Sequence, residues 1–359
     1  MIRPLDTSYV YTLPFAGDAA LRRKYQVVKD DIPGNFRFGL LLEVLDIVAG
    51  DTALAYVRRF YPEGEVVTAA IDNVVIRSSA QVTRDVVCKA RINHVGTSSL
   101  EVGIRIEQPT ADGGMRHVSS CFFLMVARSG VGAGAVSLKL PPLEYADEAE
   151  QRRQAKARSR REEFKVQQKT ALQPPSADEY AVLSALHRTQ DQPGFAGLRV
   201  GRLVTESWER MFPELEKVPQ SIFGGHLMRR AYELAAICAE LVAPGRVVIV
   251  AVNRINFLQR VHIDDKLHFT CRVIHTGKTS VSIEADIERI SRDRTSKALS
   301  NTCLFTFVCV DTEMRPQPVP PVYPTTYAED ALYLTAYRQR SEHLVAKEQR
   351  LGAAGKCAN

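Results

Sequence analysis

The sequence predicts an α+β protein in which one plan is written twice, each copy an antiparallel sheet wrapped around a central helix. Three observations predict it. The first is an internal repeat: INHVGTSSLEVGIRIE from Ile92 aligns with VIHTGKTSVSIEADIE from Val273, so that Gly96 meets Gly277 at an offset of 181. That offset also carries IDNVVI (Ile71–Ile76) onto VNRINF (Val252–Phe257), and one residue more carries Phe123 onto Phe305. The second is alternation of period two, Leu100, Val102, Ile104 and Ile106 in one copy and Val281, Ile283, Ala285 and Ile287 in the other, which marks half-buried strands. The third is FGLLLEVLDIVAG from Phe38, apolar nearly all round, a helix that the sheet must cover.

In chain order, the helix from Phe38 opens the first copy. Turns at His94–Gly96 and His275–Gly277 join the alternating strands to DVVCKARI (Asp85–Ile92) and KLHFTCRV (Lys266–Val273) as antiparallel hairpins. GGHLMRRAYELAA from Gly224 takes the place of the first helix in the second copy. Between the copies the composition changes to charge and Ala, predicting a helix over Tyr145–Lys169 that ends before Pro174 and Pro175. At about 150 residues per domain, 359 residues divide into a first domain over 8–140, a charged linker with a helix over 141–197, a second domain over 198–345 and a flexible tail over 346–359.

Composition excludes several classes. The net charge of +6 comes from 47 basic and 41 acidic residues and is concentrated between Arg152 and Lys169. That stretch offers only Phe164 for base stacking, so a solvated linker helix is expected and a nucleic-acid partner is not. The apolar run Phe38–Ala49 is interrupted by Glu43 and Asp46, and no membrane-spanning helix is expected. Seven cysteines without a CxxC pair read as reduced core thiols, and the opening MIRPLDTSYVYTLPF has neither a signal-peptide core nor the look of an organelle presequence. GVGAG at Gly130 precedes no helix, so it reads as a turn. His94 and His275 have no second ligand at metal spacing, and no metal is expected. There is no GxSxG elbow.

The residues suited to chemistry gather on the two helices. Gly224 and Gly225 open one of them, where unpaired amides beside the positive helix end suit a carbonyl oxygen gaining negative charge; the same glycines would also let the helix pack closely on a sheet. The first copy has Phe38 and Gly39 there, so one glycine remains. Asp46 lies seven residues after Gly39, two turns on and on the same face. A lone carboxylate among apolar neighbours costs free energy unless it is paired or put to use. Seven residues after Gly225 stands Tyr232, unable to act as a base near neutral pH, with Glu233 rotated by about 100°.

SIFGGHLMRRAYELA (Ser221–Ala235) is similar to the helix-entrance signature of hotdog-fold acyl-CoA thioesterases, and specifically of the animal mitochondrial double-hotdog branch. FRFGLLLEVLD, VGTSSLEV, TGKTSVSI and VPPVYPTTYAEDALYL support the resemblance, which runs from about Ser8 to Arg340. It implies tandem hotdog folds that hydrolyse fatty acyl-CoA to free fatty acid and coenzyme A. It implies no cofactor, coenzyme A being part of substrate and product. A homo-oligomer, a trimer of double hotdogs, and a mitochondrial setting follow from it too, with a cytoplasmic one as the alternative. The resemblance assigns Asp46 as base or nucleophile, facing Gly224 and Gly225 of the other copy. The reciprocal pair, Gly39 with Glu233, is then accessory. Lys217 stands where the resemblance implies an Asn. Gly277, Lys278, Thr279 and Ser280 are implied to lie near the pantetheine and phosphates, with His226 touching substrate. Lys217 and the unequal second site motivate an alternative, a non-catalytic acyl-CoA or CoA-binding regulatory protein.

Overall fold

A computed structural model describes residues 2–340 apart from 31, 73, 131–133, 172, 219–220 and 223. The first copy holds β1 (Tyr9–Leu13), α1 (Ala19–Tyr25), α2 (Phe38–Val57), β2 (Glu65–Ile71), β3 (Val74–Ile76), β4 (Val86–Val95), β5 (Ser99–Pro109) and β6 (Met115–Arg128). Two helices follow, α3 (Glu148–Ala171) and α4 (Ala177–Gln190). The second copy runs through the short strand β7 (Leu198–Arg199), then β8 (Val204–Arg210) and the small hairpin β9 (Glu216–Val218) and β10 (Ser221–Ile222). It continues with α5 (Gly224–Glu240), β11 (Arg246–Phe257), β12 (Lys266–Thr276), β13 (Ser280–Ile290), β14 (Lys297–Val310) and β15 (Val322–Tyr323). A helix over 327–340, α6, closes the described chain.

The long strands form one antiparallel sheet in the order β1-β4-β5-β6-β2-β11-β14-β13-β12-β8, with β3 bridging β6 and β11. Each half of that order is the same meander, and the copies meet edge to edge where Ile71 pairs with Ile255 and Val75 with Ala251. The sheet encloses α2 and α5. On α2, Leu40, Leu41, Leu42, Leu45, Val48, Ala49, Ala53 and Val57 are all nearly or fully excluded from water, each large side chain contributing roughly 1.5–3 kcal/mol of burial. The two helices touch: a Cβ on Gly39 would stand 3.0 Å from Arg229 Cγ and from Tyr232 Cδ1, so the glycine is required by close approach. Arg229 pairs with Glu43 across the contact at 3.3 Å.

The stretch read as a solvated linker helix does more than connect. Within α3, the Arg160 guanidinium lies 3.5 Å over the Phe122 ring and pairs with Glu101, which fixes the helix to the outer face of β5 and β6. The second copy repeats the device with α6. Arg160 faces Asp72 at 3.9 Å, while Gln339 accepts a hydrogen bond from Asn253 Nδ2 at 2.8 Å, and Asn253 is Asp72 shifted by the repeat offset. A Cβ on Gly96 would meet Arg161, and one on Gly277 would meet Arg340. The repeat therefore extends past the sheet into a helix that covers each copy.

His275, 2% exposed, packs its ring against Tyr333 of α6 with centroids 4.8 Å apart. Burial, with Arg340 adding to it, pulls its pKa down to about 4. The folded value lies below the unfolded one, so this contribution to stability is complete above about pH 6.5 and is lost as pH falls toward 4, on the order of 2 kcal/mol by pH 5. Thermal unfolding of wild type and His275→Phe at pH 7 and pH 5 is expected to show a smaller acid-induced drop in Tm for the variant. Equal drops would remove His275 from the acid response.

Candidate active site

Asp46 and the start of α5 meet across the two copies. The Gly225 amide donates to Asp46 Oδ2 at 2.8 Å, and the Thr68 hydroxyl of β2 donates to Oδ1 at 2.7 Å. The helix geometry puts them there: two turns of α2 separate Gly39 from Asp46, and the packing of α2 on α5 brings the far turn opposite Gly225. Asp46 is only 5% exposed, so these donors replace the water it has lost. A carboxylate accepting from a helix N-terminus also sits at the favourable end of the helix dipole.

Beside this pair lies a cavity of about 510 Å³, walled by Asp46, Thr68, Met125, Gly224, Leu227 and Phe257. Its edge carries Arg58, Arg128 and Arg260. Arg128 Nε is buried with no hydrogen-bond partner among the described residues, and Arg58 pairs with Glu65. A Cβ on Gly224 would stand 3.0 Å from the Phe257 ring and 3.3 Å from Asp46 Oδ2, so the glycine keeps open the space between ring and carboxylate. Chemically the arrangement is a buried carboxylate, an amide donor at a helix start, an apolar chamber and three guanidiniums, with Asp51 and Glu65 also on the lining.

Several expected site residues fall elsewhere. The Gly225 amide, expected to point outward, is engaged by Asp46, which is correspondingly not a lone carboxylate. His226 is one residue further round the helix and turns away from the cavity, its Nε2 lying 3.1 Å from Glu209 Oε1 on β8. Gly277, Lys278, Thr279 and Ser280 are not on this cavity. In the second copy Phe257 pairs with Asn301 but Ser280 pairs with Val308, seven residues along β14 and therefore about 23 Å away. The turn at this end of the sheet belongs to the first copy, Gly96–Ser99, since Ser99 pairs with Val126, a cavity wall residue. Lys217 belongs to β9, and its side chain lies outside the described residues. Thr68 was not anticipated. Its signal was a hydroxyl among the apolar side chains of EVVTAAI, which ordinary strand propensity also explains.

The reciprocal position holds a second cavity of about 530 Å³. Tyr232 stands there in the place of Asp46, and burial pushes its hydroxyl pKa up. Glu233 pairs with Arg37 at 2.6 Å and with Arg230 at 3.5 Å. Among the described residues no carboxylate accepts from a backbone amide at the start of α2; Glu233 meets the side chain of Arg37, the residue before that helix. No group of three or more potential metal ligands occurs among the described residues.

Comparison with known proteins adds the following. The Thioesterase superfamily profile matches residues 34–112 and 220–295, one segment in each copy. The chain is 27% identical to mitochondrial acyl-coenzyme A thioesterase 9 of Homo sapiens over 353 residues, covering 94% of this chain and 77% of that protein. It is 39% identical over 111 residues to an uncharacterized acyl-CoA thioester hydrolase of Zymomonas mobilis, covering 30% of this chain and 73% of that protein. A crystal structure from Lactobacillus plantarum, described as an oleoyl thioesterase, superposes over 85% of this chain and 96% of that one, with TM-score 0.50 and 8% identity. That likeness extends the tandem hotdog fold across both copies.

Proposed function

This chain belongs to the thioesterase superfamily, and on that premise we infer that it hydrolyses fatty acyl-CoA to free fatty acid and coenzyme A. The observation that carries the assignment to a site is the 2.8 Å contact between the Gly225 amide of one copy and the Asp46 carboxylate of the other. A thioester carbonyl entering between Phe257 and Gly224 lies beside both. Asp46 takes a proton from water as the oxygen attacks, or attacks directly, and the start of α5 receives the oxyanion. Gly225 N–H, which donates to Asp46 Oδ2, passes to the carbonyl oxygen. On the water route the C–S bond then breaks and the thiolate leaves as the thiol with the proton Asp46 had taken. On direct attack the C–S bond breaks as an acyl–Asp46 anhydride forms, and the thiolate takes a proton from solvent. Water then hydrolyses the anhydride to free acid and the Asp46 carboxylate. Thr68 fixes the rotamer of the carboxylate. The acyl chain occupies the apolar chamber, and Arg58, Arg128 and Arg260 meet the phosphates at the mouth, the role the sequence had suggested for Lys278.

Release of free CoA thiol from acyl-CoA of short to long chain tests this reading. Turnover at catalytic enzyme concentration supports it. Calorimetric binding of the ester with no thiol released would favour the alternative, a CoA-ester-binding protein without chemistry.

Relatives named as mitochondrial support a mitochondrial setting. No helix among the described residues is long and apolar enough to cross a membrane. Association as a trimer is part of the same proposal. Trp208 on β8, 59% exposed and stacked on His268 of β12 at 4.2 Å, supports a surface for a second chain there. Light scattering is expected to give about three times the chain mass at micromolar concentration, and a monomer there would contradict it.

A further inference from the structure

The second cavity has the size of the first but none of its chemistry, and its lining is specific. Phe36, Phe38, Leu41, Val118, Tyr232 and Ile249 form an apolar slot between α5 and the strands. Val27, Val28 and Ile237 on its lining are exposed, so the slot opens to solvent. At its edge stand Arg77 and Arg246, neither of which makes an ion pair among the described residues. Arg246, half-buried, donates to the Pro33 carbonyl oxygen and lies 3.3 Å from Met314 Sδ. Burial lowers its pKa, as expected of a guanidinium that has lost water without gaining an acidic partner. Of the two carboxylates on the lining, Glu233 is engaged by Arg37 and Arg230, and Glu240 lies at the exposed end of α5.

We propose that this second cavity is a binding site for a free fatty carboxylate, its chain in the apolar slot and its head group on Arg77 and Arg246. A long apolar body with one compact anion fits an apolar slot edged by two guanidiniums without carboxylate partners. A free carboxylate has no thioester bond to break, and Tyr232 stands in this cavity where the base stands in the other. The ligand class is the acid product of the proposed hydrolysis, so the proposal rests on that reading for its biological sense; the binding itself does not.

Calorimetric titration with sodium palmitate below its micellar range tests it. Three variants are compared with wild type: Gly224→Val, which fills the first cavity; the double variant Arg77→Glu with Arg246→Glu; and Ala236→Trp, which puts an indole into the second. Gly224→Val is expected to keep one palmitate site of wild-type affinity. The double variant and Ala236→Trp are each expected to bind at least tenfold more weakly, with circular dichroism unchanged and CoA release within twofold of wild type. Wild-type affinity in either folded variant, or no binding to Gly224→Val, overturns the proposal. CoA release by wild type is read separately: palmitate binding without thiol release would fault the hydrolase reading alone, and thiol release without palmitate binding would fault this one alone.

Discussion

Asp46→Asn is expected to lower kcat for acyl-CoA hydrolysis by at least about 100-fold, the scale of losing a general base. The substitution is nearly isosteric. An Asn carbonyl still accepts from Gly225 N–H, and the Thr68 hydroxyl can turn from donor to acceptor to meet the new amide, so both of these contacts survive. What is lost is the ability to take a proton or to attack. KM should therefore change little while kcat collapses, and a steady-state assay on protein with an unchanged Tm separates the two. Unchanged kcat in the folded variant would remove Asp46 from the chemistry.

Gly224→Val is expected to lower kcat/KM by about 100-fold through a different cause. The new Cβ would stand 3.0 Å from the Phe257 ring and 3.3 Å from Asp46 Oδ2, and the two methyl groups beyond it project into the space a thioester must use. Misplacing a reacting group by about 1 Å is enough for a loss of that order. Gly224→Ala, with only the Cβ to accommodate, should retain more activity than the valine variant. Near-wild-type kcat/KM for Gly224→Val would mean that the substrate does not pass between ring and carboxylate.

Much of this was legible in the sequence because the repeat is regular. Three blocks at offsets of 181 or 182 expose the repeat, the period-two runs and their joining turns give one hairpin in each copy, and helical periodicity puts Asp46 on the face of Gly39. The resemblance carried by SIFGGHLMRRAYELA supplied the meeting of that face with Gly225. What could not be read was set by tertiary register. Gly277–Ser280 lies in the same copy as Gly224, yet the antiparallel register sends the turn and the glycine to opposite ends of β14. His226 adjoins Gly225 in sequence, but one step of helix turns it toward Glu209. The role of α3 was obscured by composition: its arginines look solvated in a charge-rich segment, and only the fold shows Arg160 over Phe122. Thr68 was hidden for the opposite reason, being an ordinary residue for a strand.

The central claim is that two cavities of similar size divide, one carrying out hydrolysis and the other lacking a base. Rates of CoA release by Asp46→Asn and Glu233→Gln, measured side by side on folded protein with one acyl-CoA, test it most directly. Glu233 is held by Arg37 and Arg230, so Glu233→Gln is expected to stay within about threefold of wild type while Asp46→Asn falls by at least about 100-fold. Inactivation by Glu233→Gln with activity retained in Asp46→Asn would place the chemistry in the other cavity and contradict the account.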